Sequence, residues 1–566
     1  MKKETKIFLF RLTILLFISL FACSLTSCKE VKIDNTQVLN FNRNTEPNLE
    51  EAYKEYRFYL NNLNNVALEY RLEVERGNIY KHQDYIKYLE KSLDSNAYEL
   101  QEGVYTQIKI LKAIPDNEKP VEPLDSIVKA FPNAKGYGAF ARADVDYELY
   151  EVTNLNASGQ GSFWSGLGNN RIIVFRVSGI IDLGTLPTNT RSFKNCIVLG
   201  QTAPKGGITL VGNGWKWNGV ENVVFRYLRF RTWQCRSNIN SPCGVDAIDV
   251  FGLNGKVNSN LIFDHCSFAF GGDETLSFRG DSHTITVQNC IFSYGKTGML
   301  AGDSDDTSRG YNFSILDNFW TTVGKRTPNS NSNGNIDKIG NVTYNILNQL
   351  DRTGGNVKLN EIGNAYTGGA RNRLNLYNNW QPKIYTSNNR YSNTVTENGQ
   401  DNTVFWANWI NGRDPIPNDF VNEPYEISNY DVLPDGDDAI QSVSDRRHGC
   451  NSYLDNNGNP VFELDQIDLS AYNEFDSNTK FDWTDGVGNN RSQGNWKYIP
   501  QRQWLLDNQN QFGQIKNQHN QETHVGVVPK SWILKKGLNV NTFNPLSYDL
   551  SVTKTNIEMY SFEVDK

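Results

Sequence analysis

From residue 171 onward the chain repeats short apolar segments, each bounded by Gly, Asn or Ser: Arg171–Val177, Asn195–Leu199, Asn222–Phe230, Asn260–Phe268, Thr284–Phe292 and Asn312–Trp320. Aligned on Phe268, Phe292 and Trp320, the segments advance by steps of 24 and 28 residues, and Gly340–Leu347 continues the series. A strand of this kind cannot bury its own apolar face, so a regular succession of them predicts a coil stacked on itself. Four-stranded propeller blades are the competing repeat, but they need a period of roughly 40 residues or more. A content of 45 Gly and 12% aromatic residues, with Asn clustered between β-branched runs, fits an all-β body.

The same alignment makes further predictions. Cys266 and Cys290 each fall two residues before an aligned aromatic and should stack on adjacent coils, at about 4.8 Å between strands. That spacing suits either a disulfide or two free thiols packed as small apolar groups, and free thiols are the expectation. Asn289 and Asn318 lie near strand ends and are expected to join an amide ladder. Of the remaining cysteines, Cys235 and Cys243 could close a small loop, whereas zinc finds neither a CxxC pair nor a matching His pair.

Residues 1–28 read as an export signal. Lys2, Lys3, Lys6 and Arg11 precede the apolar run Leu12–Phe21, and Leu25–Cys28 resembles the bacterial lipobox. The expectation is a chain lipidated on Cys28 and tethered to a membrane without spanning it, as an exported lipoprotein of the outer membrane or cell surface of a Gram-negative bacterium. Residues 29–125 predict a helical N-terminal extension, with Tyr53, Tyr56, Leu60, Leu63 and Val66 at helical spacing and Pro115, Pro120 and Pro123 ending the pattern. Residues 126–400 hold the repeated strands. Residues 401–566 predict an irregular C-terminal extension that packs on the coil and shields its edge. A monomer is expected. The net charge of −7 argues against a nucleic-acid partner, so an acidic polymer would need a local basic cleft or a metal.

Several fragments then occur in one order: Ala130–Phe140, Val152–Asn156, Val174–Gly179, Gly200–Pro204, Val245–Ile248, Phe263–Phe268, Gly272–Ser277, Gly295–Thr297 and Gly324–Pro328. In this order the chain resembles polysaccharide lyase family 1, the pectate lyases, over about residues 130–390. The resemblance implies a right-handed parallel β-helix and β-elimination on an α-1,4-linked uronic acid polymer such as pectate or pectin, with Ca2+ as cofactor.

It also implies roles for particular residues. Asp246 and Asp273 match the family's metal-binding acids, and calcium takes hard oxygen ligands of this type. Where the family commonly has a second acid four residues after Asp273, this chain has Ser277, so one carboxylate is missing. Glu274 could replace it, although strict strand alternation points it away. Asp249 reads as a loop carboxylate. Lys296 matches the lysine that contacts the substrate carboxylate, and Arg326 the arginine that serves as base. Free arginine is always protonated, so nearby cations and partial burial would have to disfavour its charge. Lys325 should point away from Arg326 on an extended backbone. Asn329 and Asn331 stand where the family often carries further arginines, which puts the preferred degree of methyl esterification in question. His265 reads as a strand residue with a fixed hydrogen bond.

Two other functions compete. A surface polysaccharide-binding protein could keep the coil without catalysis, in line with Ser277, Asn329 and Asn331. A β-helix glycoside hydrolase would need clustered acids with room for water. No GxSxG, Walker A or dinucleotide fingerprint is present.

Overall fold

The computed structural model describes residues 129–186, 190–212, 214–232, 246–252, 255–302, 310–346, 350–367, 374–376, 382–391, 394–396, 406–408, 417–479, 516–549 and 554–565. The export signal with Cys28, the helical extension, and Cys235 and Cys243 lie outside the described residues.

Apart from Asn195–Leu199, which lies in the single strand Lys194–Leu199, each apolar repeat from Arg171 to Trp320 becomes two strands rather than one. Asn260–Phe268 divides into Asn258–Asp264 and Ser267–Ala269 around His265, which has φ of 49°. Tyr227, Asn289 and Asp317 divide the neighbouring repeats at φ of 54°, 51° and 51°. One residue in the left-handed region turns the chain sharply, and Asn, Asp and His tolerate that region better than most side chains. The apolar run therefore continues across a corner.

A third strand completes each coil. After Asn258–Asp264 and Ser267–Ala269 comes Glu274–Gly280, and the next coil begins with Ser282–Gln288. Among the described residues, stacking these units forms a first sheet of ten strands, a second of eleven and a third of nine. Between successive coils the described strands pair in parallel, Phe268 with Phe292 and Phe292 with Trp320 in the register read from the repeat, while at the end of the second sheet Thr394–Thr396 folds back antiparallel on Asn389–Tyr391. The result is a parallel β-helix whose third-sheet strands run from Thr190–Arg191 to Trp406–Asn408.

Inward-facing side chains of all three sheets form one core, in which Phe230, Phe268, Phe292 and Trp320 stack face to face at 4.9, 4.9 and 4.0 Å. Two residues earlier on each coil, Cys266 and Cys290 stack as buried free thiols. The next coils carry amides at the same position. Asn318 donates to Asn341 Oδ1 at 3.0 Å, Asn341 to Asn364 at 2.9 Å and Asn364 to Asn389 at 3.0 Å. Asn289 stays out of this ladder, because its left-handed corner aims its amide at Asp264 Oδ1, 3.1 Å away.

The C-terminal region covers the outside of the coil. Helices Gly436–Ser444 and Gln466–Asp476 lay Ala439, Val443, Ala471 and Tyr472 on Ile291, Phe319 and Val342 of the second sheet. Trp532, Ile557 and Tyr560 pack on Ile172, Val174 and Ile197 of the first. Buried ion pairs join tail to coil, with Arg226 between Asp264 and Asp565 and Arg231 between Asp465 and Asp468. Asn517–Gln518 pairs antiparallel with Val177–Asp182 at the open edge of the second sheet, where an unpaired strand would invite association.

Candidate active site

The predicted site residues gather where the chain enters the third sheet. Asp246 lies just before the strand Ile248–Gly252, Asp273 and Glu274 open Glu274–Gly280, Lys296 precedes Thr297–Ala301, and Arg326 precedes Asn329–Asn331. Ile248 pairs with Leu276 and Leu276 with Met299, so these entry points stand above one another on successive coils. Residues far apart in sequence are thereby brought to one ledge.

Asp246, Asp273 and Glu274 each offer a carboxylate oxygen within 4.8 Å of the other two. Glu274 contradicts the expectation from strand alternation. It is the first residue of its strand, directly after the bend at Gly272 and Asp273, so the alternation of an extended strand does not reach back to fix its side-chain direction. It thus supplies a third acid where Ser277 cannot. Ser277 is fully buried and donates its hydroxyl to Asp246 Oδ2 at 2.6 Å, which favours the ionised form of Asp246. Burial, followed by the charge of Glu274, nevertheless pushes Asp246 up to about 8. Three crowded acids of hard oxygen character are a donor set that suits calcium.

Glu274 also forms an ion pair with Arg326 Nη1. Glu274 is still held above the ordinary carboxylate range, because burial outweighs the attraction of Arg326. Arg326 adopts φ of 63°, a left-handed conformation uncommon for a side chain of this size. Its carbonyl accepts from Met299 N at 2.9 Å, and the N–H of Thr327 donates to Leu350 O at 2.6 Å. The backbone at Arg326 is therefore held by the coils on both sides. Nothing extended remains here for the alternation argument that turned Lys325 away. Lys325 is half-buried, and burial, then the charges of Arg326 and Lys296, lowers its pKa. Lys296, Lys325 and Arg326 form a cationic side to the acidic cluster.

Asp249 is a strand residue rather than a loop carboxylate. It is 6% exposed and receives both Arg279 Nε and Nη2, at 3.1 and 2.6 Å, while the same guanidinium covers the Phe251 ring. This neutralised pair stands outside the acidic cluster. Asn329 and Asn331 are buried on the strand Asn329–Asn331 that follows Arg326, with both amide atoms of Asn329 and the Nδ2 of Asn331 unpartnered. His265 occupies the corner between the first and second sheets, where it stacks on Tyr227 at 4.8 Å with its Nδ1 3.0 Å from Asp264 Oδ1. Glu274 and Lys325 are the residues that sequence reasoning set aside. Their adjacency to Asp273 and Arg326 was the available signal.

No family model matches the chain. Among curated proteins, the "Probable pectate lyase C" of Aspergillus flavus is 32% identical over 331 residues, which is 56% of this chain and 73% of the relative. That of Aspergillus oryzae is 31% identical over 331 residues, with the same coverage of 56% and 73%. Among solved structures, pectate lyase Bsp165PelA from Bacillus sp. N165 in complex with trigalacturonate aligns with a TM-score of 0.39 at 12% identity, covering 56% of this chain and 98% of its own. A pectate lyase bound to hexasaccharide gives a TM-score of 0.39 at 12% identity, covering 58% and 99%.

Proposed function

The chain belongs to the pectate lyase family, and from that premise we propose that it cleaves α-1,4-linked polygalacturonate by calcium-assisted β-elimination, releasing 4,5-unsaturated oligogalacturonides. The observation that carries the site assignment is the meeting of Asp246, Asp273 and Glu274 with Arg326 on one ledge of the third sheet.

Elimination next to a carboxylate needs that carboxylate neutralised and a base held against the adjacent C5 proton. In this reading Asp246 and Asp273, joined by Glu274, hold Ca2+. Bound calcium would add positive charge beside the uronate carboxylate, which eases loss of the neighbouring proton. Lys296 contacts that carboxylate from the cationic side, with Lys325 adding to the field. Arg326 is the base. It must part from Glu274 and be unprotonated to take the C5 proton. The electron pair of that C–H bond then forms the C4–C5 double bond, the C4–O bond breaks with its pair on the departing sugar oxygen, and a proton returns to that oxygen.

The test measures the ultraviolet absorbance of the unsaturated product on pectate, methylated pectin and alginate, with and without calcium. Signal on pectate that chelation and Arg326→Ala both abolish is the expected result. Full activity in Arg326→Ala removes Arg326 from the mechanism, and reducing sugar without the chromophore would indicate hydrolysis. The same reading keeps Cys28 as the lipid anchor and the outer membrane or cell surface as the site of action, supported by the lipobox-like Leu25–Cys28. Metabolic labelling with a fatty acid, lost in Cys28→Ala, tests it.

A further inference from the structure

The interior of the coil changes character beside Arg326. On the first sheet the inward column runs through Phe225, Phe263, Val287 and Ile315, and its next two members are Lys338 and Glu361. On the second sheet the aromatic column Phe268, Phe292, Trp320 passes through Thr343 to Tyr366. Lys338 ion-pairs with Asp351 and donates to Tyr366 Oη at 2.7 Å. Tyr366 in turn donates to Glu361 Oε1, which lies 3.8 Å from Lys338 Nζ, while Glu361 Oε2 has no partner. None of the four is more than 2% exposed.

Stability does not account for this set. Each buried ion loses solvation worth several kcal/mol, and a buried ion pair is often replaced by apolar residues at no loss. The preceding coils show that the same positions accept Phe, Val and Ile. What distinguishes the charged set is its reach toward the site. Asp351 Oδ1 lies 3.4 Å from Thr327 Oγ1, and both the N–H and the hydroxyl of Thr327 donate to the carbonyl of Leu350, at 2.6 and 2.8 Å. Thr327 is fully buried and follows Arg326 directly. Residues 350 and 351 are therefore the surface on which the left-handed turn at Arg326 rests from the far side, opposite its bond to Met299.

We propose that Lys338, Asp351 and Glu361 are positioning residues for Arg326. The buried ion set fixes the backbone at Leu350 and Asp351, this backbone fixes Thr327, and Thr327 sets the turn that aims the Arg326 guanidinium at the acidic cluster. The inference rests on the reading of Arg326 as the base. It assigns a reason for charge in a core that packs apolar residues elsewhere, and it makes a polar interior one step from the chemistry a determinant of turnover rather than of stability.

The test uses the full chain and the neutral triple variant Lys338→Met, Asp351→Asn, Glu361→Gln, followed by thermal unfolding and by product absorbance on pectate. The expected result is a melting midpoint at or above that of the wild type, kcat lower by about 10- to 100-fold, and KM within about twofold, since a small misplacement of the base harms the chemical step more than binding. Should the triple variant fail to fold, Thr327→Val and Thr327→Ser decide the matter: the first removes the hydroxyl and should reproduce the loss of kcat, and the second keeps it and should restore turnover. A folded triple variant with the wild-type kcat overturns the proposal, as does a Thr327→Val variant that keeps the wild-type kcat or whose loss of activity tracks its loss of folded protein. A wild-type chain that releases no unsaturated product overturns the base reading and this proposal together, whereas an active wild type beside an equally active triple variant overturns this proposal alone.

Discussion

Asp246→Asn is expected to stabilise the chain in the presence of a chelator and to abolish the stabilisation that calcium gives. In the unfolded chain Asp246 releases its proton near 3.8, whereas burial and the charge of Glu274 push it up to about 8 in the fold. Between those values the folded state holds one proton more than the unfolded state. The group therefore favours folding at the acid end, and this contribution is lost as the pH rises toward 8. At pH 7 the gap of 7 − 3.8 = 3.2 units corresponds to a penalty of about 4 kcal/mol. Relaxation and partial access of water reduce the expected gain of the variant to about 1–3 kcal/mol. The Asn amide oxygen still accepts from Ser277, now 2.6 Å from the carboxylate, so the swap removes charge and keeps the hydrogen bond. The assay is urea unfolding in chelator at about pH 5, 7 and 8.5, where the advantage of the variant should grow with pH. Saturating calcium should raise the wild-type midpoint and leave the variant where it was. Equal stabilities with equal pH slopes would refute the claim that crowding holds the proton on Asp246, and equal calcium stabilisation of both chains would remove Asp246 from the metal site.

Three further outcomes are expected. His448 is buried between Ser442 and Tyr472, and burial, with His265 and Arg447, lowers it to about 3, so its contribution is present above 6.5 and lost as the pH falls toward 3. His448→Gln should flatten the acid limb of the stability curve by up to about 4–5 kcal/mol, read by tryptophan fluorescence; an unchanged acid midpoint refutes this. Asn318→Ala removes bonds to Val287, Asn341 and Cys290 and should lower stability by about 2–3 kcal/mol in urea unfolding, against less than about 1 kcal/mol for Asn289→Ala outside the ladder. Cys290 is buried and held well above the ordinary thiol range, so alkylation followed by mass spectrometry should label it only on unfolding; labelling of the folded chain refutes this.

How much of this was legible in the sequence differs between the core and the site. The stacking of Phe268, Phe292 and Trp320, and of Cys266 on Cys290, followed from the repeat because each coil adds its residues at nearly constant spacing. Asp246, Asp273, Lys296 and Arg326 were singled out by the resemblance to the family, and the stacking carries them to successive coils. The corners at Tyr227, His265, Asn289 and Asp317 were hidden, since an apolar run looks the same whether or not one residue within it turns left-handed.

By itself, the order of residues along the chain determined that parallel strands would stack and which side chains would share a column, because side-chain alternation and repeat length are local properties. Only the tertiary structure decided which way a residue at a strand entrance faces, and so which groups meet there. Glu274 and Arg326, separated by 52 positions, pair because two turns on different coils aim them at each other. Lys338, Asp351 and Glu361 come together for the same reason, inside a core where the pattern of neighbouring coils called for apolar residues.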